Sequence, residues 1–569
     1  MSGTTHTGSW YLVVRPPEGA SELGTEGCGR LGTRDFRARA RCVSPCWPFL
    51  PHGDVRRTGR GERLSRPGCP ALAERHAGVS GHEIEFGGAS TCEWVPEITR
   101  QRALPWLRYS DSMSRGLVFE CYYLDCLSQA SYLVGDTTSG RAVVVDPRRD
   151  VAVYVDEAQS AGLVIELIVE THFHADFLSG HLELAALTGA EVGISSVASP
   201  EFDFRPLTDG ERLTLGEVVL EFRHTPGHTP ESLSVVVWRH GDDPEPYGVL
   251  TGDTLFVGGV GRPDLLATAG MSEEEMAGDL YDSLHQRLMV LPDATRVFPA
   301  HGAGSACGKN LSVERSSTIG EQRRTNYAVA AVDRAEFIDL VTEGQPVAPA
   351  YFAYDAALNK AERSLLDEEA LPTAMGLEEV NAALSSGAVV IDVRDPESFA
   401  SGHLVGALNV GLEGRFAEAA GSVVPFEVDL VLVAEEGAAL EAKNRLARIG
   451  LDRVVGHLED AHRVMAENPQ ITMGSFRLTA QTLRERIGEL HDIQLLDVRT
   501  AGEISSGTIE GSIHIPMGSI TDRIDQLDPS RSTVVFCAGG YRSSIAASLL
   551  RKAGFDDVSD LVGGYGSWY

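Results

Sequence analysis

Nowhere in the 569-residue chain is there a run of about 18 consecutive apolar residues, so no membrane-spanning helix is predicted. Its first residues also lack a positive segment followed by an apolar one and a small-residue cleavage site, which leaves a cytoplasmic location as the default expectation. Basic residues are in the minority: 49 Lys and Arg face 81 Asp and Glu, for a formal charge of −32. Phosphate backbones and anionic bilayers reward basic patches, so neither nucleic acid nor membrane is an expected partner. Cysteine is scarce where it would matter for a disulfide framework. Five of the nine, Cys28, Cys42, Cys46, Cys69 and Cys92, precede residue 113, and only Cys121, Cys126, Cys307 and Cys537 follow it. Cys121 and Cys126 are read as packing residues.

What is present is enough chain for about three to four domains. Residues 1–112 hold 15 Arg, no Lys and 12 acidic residues, with scattered Gly, Pro and Ser and no sustained periodicity. Their charge of +3 leaves −35 for residues 113–569. This segment reads as a largely disordered or misassigned leader rather than a folded accessory domain, and Met113 is a plausible start. Cys42, Cys46, Cys69 and His82 fit no trusted metal-binding spacing.

From Gly116 onward, apolar strands end in polar loops. Strands are predicted at 141–145, 163–169, 218–222, 247–250 and 296–298, the signature of an α/β domain. Just beyond these strand ends lie His172-x-His174-x-Asp176, Gly227-His228-Thr229, Gly252-Asp253-Thr254 and Ala300-His301-Gly302. Open sheets place ligands at such ends, and a neighbouring glycine lets the backbone approach closely. A single loop histidine is more often a surface or core residue than a ligand. Six ordered ligand-type residues in this arrangement point to a metal site.

These motifs resemble the metallo-β-lactamase superfamily over about residues 117–350. Phe177 stands where the superfamily pattern carries a further His that helps hold a second metal. That departure argues against binuclear zinc hydrolases, glyoxalase II among them, and leaves a mononuclear site. Carried over from the superfamily's persulfide dioxygenases, the resemblance implies one Fe(II) per domain, held by His172, His228 and Asp253 as a facial triad. His174, Asp176 and His301 would then orient ligands or exchange protons from behind. Arg262, in Gly261-Arg262-Pro263-Asp264, resembles an arginine that supports that active site; it can equally be a structural ion pair or meet an anionic substrate. The run His301 to Gly308 resembles the form found in dioxygenases fused to rhodaneses. Cys307 within it is either a small packed thiol or a contact for persulfide sulfur.

An internal repeat follows. Strands at 388–391 and 493–496 lead into Asp392-Val393-Arg394 and Asp497-Val498-Arg499, and second strands at 430–433 and 534–536 each precede a helix-like run. In the second unit, Cys537-Ala538-Gly539-Gly540-Tyr541-Arg542 lies between strand and helix, where backbone N–H groups, a helix start and Arg542 favour a thiolate. This loop resembles the rhodanese active site, which implies that Cys537 is the nucleophile and Arg542 its charge partner. The first unit has Ala434 and Ala439 at those places, with Glu435 and Glu436 repelling anions, and reads as an inactive rhodanese used for packing or assembly.

The expected architecture is therefore α/β throughout: a metallo-β-lactamase αββα sandwich over 113–355, an inactive rhodanese-like domain over 375–467 and an active one over 478–569, with linkers at 355–375 and 467–477. The combined resemblance implies oxidation of a low-molecular-weight thiol persulfide by O₂ to sulfite, with Cys537 moving sulfane sulfur among thiosulfate, sulfite and persulfide. Two other readings stay open. One is a zinc thioester hydrolase with an attached sulfurtransferase; the other is a noncatalytic sulfur carrier. The identity of the thiol, the direction of sulfur transfer and homo-oligomer formation are not legible here.

Overall fold

The computed structural model describes residues 116–265, 270–331, 333–489 and 492–569. The segment 1–112, with Met113 and the Cys42, Cys46, Cys69 and His82 set, lies outside the described residues.

Two six-stranded sheets form the first domain. One runs in chain order from Leu117–Leu124 to Arg205–Leu207, antiparallel in its first two pairings and parallel in its last three. The other runs from Arg212–Thr214 to Ser317–Thr318, with one parallel pairing, between Gly248–Gly252 and Arg296–Pro299. Alternate side chains of the two sheets meet face to face: Tyr132, Val134, Val143 and Val169 pack against Leu220, Phe222, Val235 and Phe298. Helices Ala152–Ser160 and His181–Thr188 cover the outer face of the first sheet, and Glu273–Ser283 and Arg334–Thr342 that of the second. The result is the expected αββα sandwich. Predicted strand ends shift by a residue or two, the last strand residues being set by backbone pairing that periodicity does not report.

Two five-stranded parallel sheets follow with the same order. The first is Ala374–Met375, Val454–Leu458, Leu430–Val433, Val389–Asp392 and Leu408–Asn409; the second is Phe476–Leu478, Val558–Leu561, Thr533–Phe536, Gln494–Asp497 and Ile513–His514. The sequence repeat is thus a repeat of topology. The stretch read as the second linker contains Thr472–Met473, which pairs with His403–Leu404. The stretch read as the first linker begins inside helix Phe352–Leu358 and carries the buried Asp355 and Asn359.

These units share one apolar cluster, which runs from Phe177, Phe256 and Cys307 through Phe416, Ala417 and Ala420 to Val535, Cys537 and Ile545. Among the described residues no helix is long and apolar enough to cross a membrane.

Candidate metal centre and sulfur-transfer loop

The strand Val164–Val169 ends at Glu170, and the following loop carries His172, His174 and Asp176 into the interior, with no more than 4% of any of the three exposed. Strands Val219–His224, Gly248–Gly252 and Arg296–Pro299 deliver His228, Asp253 and His301 to the same end of the sandwich. Gly252 allows this convergence: its φ is +50°, and a Cβ there would lie 2.7 Å from Thr171 Oγ1.

His172, His228 and Asp253 form one convergent set, their ligand atoms all within 4.8 Å of one another. Asp253 Oδ2 lies 3.7 Å from His172 Nε2 and 3.4 Å from His228 Nε2. The rings are held from behind. His172 Nδ1 is 3.0 Å from Thr171 Oγ1, and His228 Nδ1 is 2.8 Å from the Arg262 carbonyl, a bond that fixes Nε2 as the free nitrogen. His172 Nε2 and Asp253 Oδ2 are buried with no hydrogen-bond partner, a costly state for two polar atoms that a cation between them would relieve. Burial, with His174 nearby, pushes the His172 pKa well below the usual value, keeping the imidazole neutral as a donor must be. Burial alone would raise the Asp253 carboxyl; the surrounding His301, His172 and His228 hold it well below the usual carboxylate range.

The other predicted residues line up behind this set. His301 spans two carboxylates, with Nδ1 2.7 Å from Asp253 Oδ1 and Nε2 2.7 Å from Asp176 Oδ2, and these hold it protonated against the opposing effect of burial. His174 directs Nε2 at Asp146 Oδ1, 3.1 Å away, and Glu170 Oε2, 3.4 Å away; despite burial its pKa is raised to about 10. His174, Asp176 and His301 also offer atoms within 4.8 Å of one another. Phe177 packs on this second group, its ring centroid 4.3 Å from that of His174. Arg262 pairs with Asp264 through two bonds of 2.6 Å and donates to the carbonyls of Ala306 and Pro346, while its own carbonyl anchors His228. Cys307 lies against Asp253 and His301. Burial pushes its thiol pKa well above the usual value, so it sits there as a neutral thiol.

Four contributors were not singled out from sequence. Asp146, a non-glycine residue at φ 51°, accepts from Thr171 N and Oγ1 and so shapes the turn before His172. Glu170 accepts from Ser179 Oγ, and Glu231 from Phe173 N. Asn359, from the presumed linker, donates to the carbonyls of His174 and Phe177, both at 2.8 Å, and accepts from Ser179 N at 2.9 Å. A one-residue strand-end signal marks Asp146; nothing local in the sequence marks Asn359.

In the last domain Cys537 follows strand Thr533–Phe536 and precedes helix Tyr541–Lys552. Its Sγ accepts from Gly540 N at 3.1 Å and lies 3.6 Å from Ser543 Oγ. Arg542 makes a bidentate pair with Glu503, at 2.6 and 2.7 Å, and also interacts with Cys537. Glu503 is legible after the fact as the fourth member of the capping box opened by Thr500. In the first rhodanese-like domain the equivalent loop keeps its shape, with Gly437 at φ 81° matching Gly540 at φ 102°, yet Ala434, Ala439 and Ser398 stand where the second has Cys537, Arg542 and Glu503. The thiol and both members of the neighbouring ion pair are absent together.

An αββα sandwich with a buried His/Asp metal site at its strand ends is the architecture of a metallo-β-lactamase. Sequence comparison agrees: residues 124–301 match the metallo-beta-lactamase superfamily model, and residues 376–463 and 479–569 each match the rhodanese-like domain. The bovine (Bos taurus) mitochondrial persulfide dioxygenase ETHE1 is 32% identical over 198 residues, 34% of this chain and 69% of that protein. The human (Homo sapiens) counterpart is 33% identical over 175 residues, 30% of this chain and 63% of its own length. A hydroxyacylglutathione hydrolase of Rhodospirillum rubrum is 32% identical over 232 residues, 40% of this chain and 80% of that enzyme. Among solved structures, a metallo-beta-lactamase from Staphylococcus aureus superposes with a TM-score of 0.56 at 31% identity, over 60% of this chain and 99% of its own. The chain belongs to the metallo-beta-lactamase superfamily and carries two rhodanese-like domains after that fold.

Proposed function

We propose that this protein oxidises a low-molecular-weight thiol persulfide to sulfite at a single non-haem iron and transfers sulfane sulfur at Cys537. The observation that carries the reading is the asymmetry of the donor cluster. Buried nitrogens without a hydrogen-bond partner occur in both groups, but His172 Nε2 and His228 Nε2 stand 3.7 and 3.4 Å from Asp253 Oδ2, leaving space between them, whereas His301 lies 2.7 Å from both Asp176 and Asp253 and His174 lies 3.1 Å from Asp146. Two imidazoles and one carboxylate are the donor set of oxygen-using Fe(II) sites with open coordination positions. The likeness to persulfide dioxygenases points the same way.

When bound, Fe(II) would supply the binding and activation of O₂ and persulfide sulfur. The chain's own residues do the rest. Thr171 and the Arg262 carbonyl orient the two imidazoles, His301 keeps a proton between Asp176 and Asp253, and Phe177, Phe256 and Leu127 contribute apolar walls that keep water out. At the second site, the Cys537 thiolate attacks the outer sulfur of thiosulfate, forming a cysteine persulfide as sulfite leaves with the electron pair of the broken S–S bond. The Gly540 N–H and Arg542 stabilise the anion throughout. An acceptor thiolate then takes that sulfur and frees Cys537. The domain limits proposed with these roles are 113–355, 375–467 and 478–569, with Asn359 and Arg363 of the first intervening stretch packed onto the metal domain.

A zinc thioester hydrolase is the second reading, favoured by the hydrolase relative and by the convergence of His174, Asp176 and His301. Anaerobic purification with metal analysis, followed by oxygen-electrode assays on a persulfide panel, separates the two. About one iron per chain with oxygen uptake is expected; two zinc ions with thioester cleavage and no oxygen uptake would overturn the proposal.

A further inference from the structure

The last domain carries two arginine–carboxylate pairs, one on each side of the strand that ends at Cys537. On one side Arg542 meets Glu503, in the helix that follows strand Gln494–Asp497, and both of its Nη atoms are engaged by that carboxylate. On the other side Arg477, in the edge strand Phe476–Leu478, meets Asp560 of strand Val558–Leu561. Asp560 takes Nε and Nη2, at 3.2 and 2.9 Å, and among the described residues Nη1 donates to no protein acceptor. Nη2 also comes within 3.8 Å of the point where a Cβ on Gly540 would stand, and Gly540 is the residue whose N–H binds Cys537 Sγ. Arg477 keeps 18% of its side chain exposed, and the nearby loop tip, Ala538 and Gly539, is open to solvent.

The first rhodanese-like domain shows what the loop needs for its shape. At the same sequence offset that relates Ala434 to Cys537, Ala374 and His457 stand in the paired strands where the last domain has Arg477 and Asp560. Gly437 nevertheless keeps the left-handed conformation of Gly540, and the buried pair of Arg394 with Asp392 matches that of Arg499 with Asp497. Such a loop therefore folds without Arg477. What disappears along with the thiol is the pair of charges on either flank.

We propose that Arg477 is an anion-binding residue of the sulfur-transfer site, receiving the sulfonate oxygens of thiosulfate, or sulfite in the opposite direction, while the transferred sulfur lies at Cys537. This rests on the sulfur-transfer reading above. Thiosulfate is a dianion, and the thiolate that attacks it adds a further negative charge beside an Arg542 already paired with Glu503. The Gly540 N–H serves the sulfur end, so the sulfonate end requires a partner of its own. A guanidinium is suited to that end, because its planar N–H groups make charge-assisted bonds to oxyanions. Asp560 fixes Arg477 in place and leaves it one NH₂ group for the anion.

The test uses the full-length protein, with thiosulfate as sulfur donor and cyanide as acceptor. Arg477→Gln should raise the KM for thiosulfate about tenfold, the loss of one charge-assisted contact, and Arg477→Lys should recover part of that loss. A second readout needs no turnover. The rate of alkylation at Cys537, followed by peptide mass spectrometry, is compared for iodoacetate, an anion, and iodoacetamide, a neutral reagent of similar size. Arg477→Gln should slow iodoacetate severalfold and leave iodoacetamide unchanged, since both reagents report the same thiolate and only one reports the charge beside it. Equal slowing of the two reagents would make Arg477 a prop of the loop and overturn the proposal, as would an unchanged KM for thiosulfate. Should the unaltered protein move no sulfur from thiosulfate to cyanide, the sulfur-transfer reading fails by itself. The ratio of the two alkylation rates then still decides Arg477: a lower ratio in Arg477→Gln supports anion binding at Cys537, and an equal ratio sinks it.

Discussion

At the residue scale, the site divides into donors that a sequence displays and props that it conceals. His172, His228, Asp253, His301 and Cys537 were legible because each sits beside a glycine or an alternating motif just past a strand end, and backbone geometry alone demands that pattern. Asn359 was not, since it reaches the metal loop across more than 180 residues of chain and belongs to a stretch whose composition reads as linker. Its amide ties together His174, Phe177 and Ser179 with three buried hydrogen bonds. Asn359→Ala leaves two carbonyls and one N–H unsatisfied, at a cost of about 2–4 kcal/mol given about 1–3 kcal/mol per stranded group and partial relaxation. Since the loop it fixes carries His172, metal retention should fall as well, by about 10- to 100-fold in affinity. Thermal unfolding together with metal competition against a chelator would check this; an unchanged melting temperature would mean that the loop holds its shape without the clamp.

At the scale of elements, a dense contact joins helix Ala439–Ala447 of the first rhodanese-like domain to the metallo-β-lactamase fold. Arg448, its C-cap, makes a bidentate pair with Asp150 at 2.9 and 2.8 Å, and its carbonyl accepts from Leu178 N at 2.7 Å, two residues from Asp176. Alongside, Arg149 reaches the Ala447 carbonyl and Asp452 from one side and Glu183 from the other, and Arg363 also grips Glu183. The repeat was readable from sequence, but this interface was not, because surface arginines and aspartates look alike whether they meet solvent or one another. Burial would by itself raise the Glu183 carboxyl, yet Arg363 and Arg149 hold its pKa at about 2, against an unfolded value near 4.5. A depressed folded pKa means stability that is fully present above about pH 4.5 and lost as the pH falls toward 2, in total about 3 kcal/mol by linkage. Acid titration of denaturant midpoints should therefore drop steeply through that window in the native chain. Glu183→Gln should be less stable at neutral pH and should flatten the same window; an unchanged slope would place the acid sensitivity elsewhere.

For the whole molecule, the question is whether the two candidate sites, which share one apolar core, act as one machine or two. The αββα sandwich and the tandem repeat were both foreseeable, since hydrophobic periodicity and repeated motifs are local properties; their fusion through Phe416 and its neighbours was not, since residues of three domains build that cluster. Glu418 shows how close the influences come: burial raises its pKa, and among smaller contributions Asp176 of the metal side pushes it up while Arg542 of the sulfur-transfer side pulls it down. The chemistry nevertheless needs different atoms at each site. Asp253 contacts His172, His228 and His301 of its own domain, while the Sγ of Cys537 is held by Gly540 and Ser543 of its own loop. Cys537→Ala removes a thiol without touching a donor atom of the metal cluster, so it should abolish thiosulfate sulfurtransfer and leave oxygen uptake on supplied persulfide within about twofold. Asp253→Asn removes the only carboxylate of the donor triad, so it should lose iron and oxygen uptake while sulfurtransfer persists. Both variants assayed on both reactions form a two-by-two comparison. Loss of both activities in Cys537→Ala, with iron still bound, would mean instead that the persulfide reaches the metal centre only by way of Cys537.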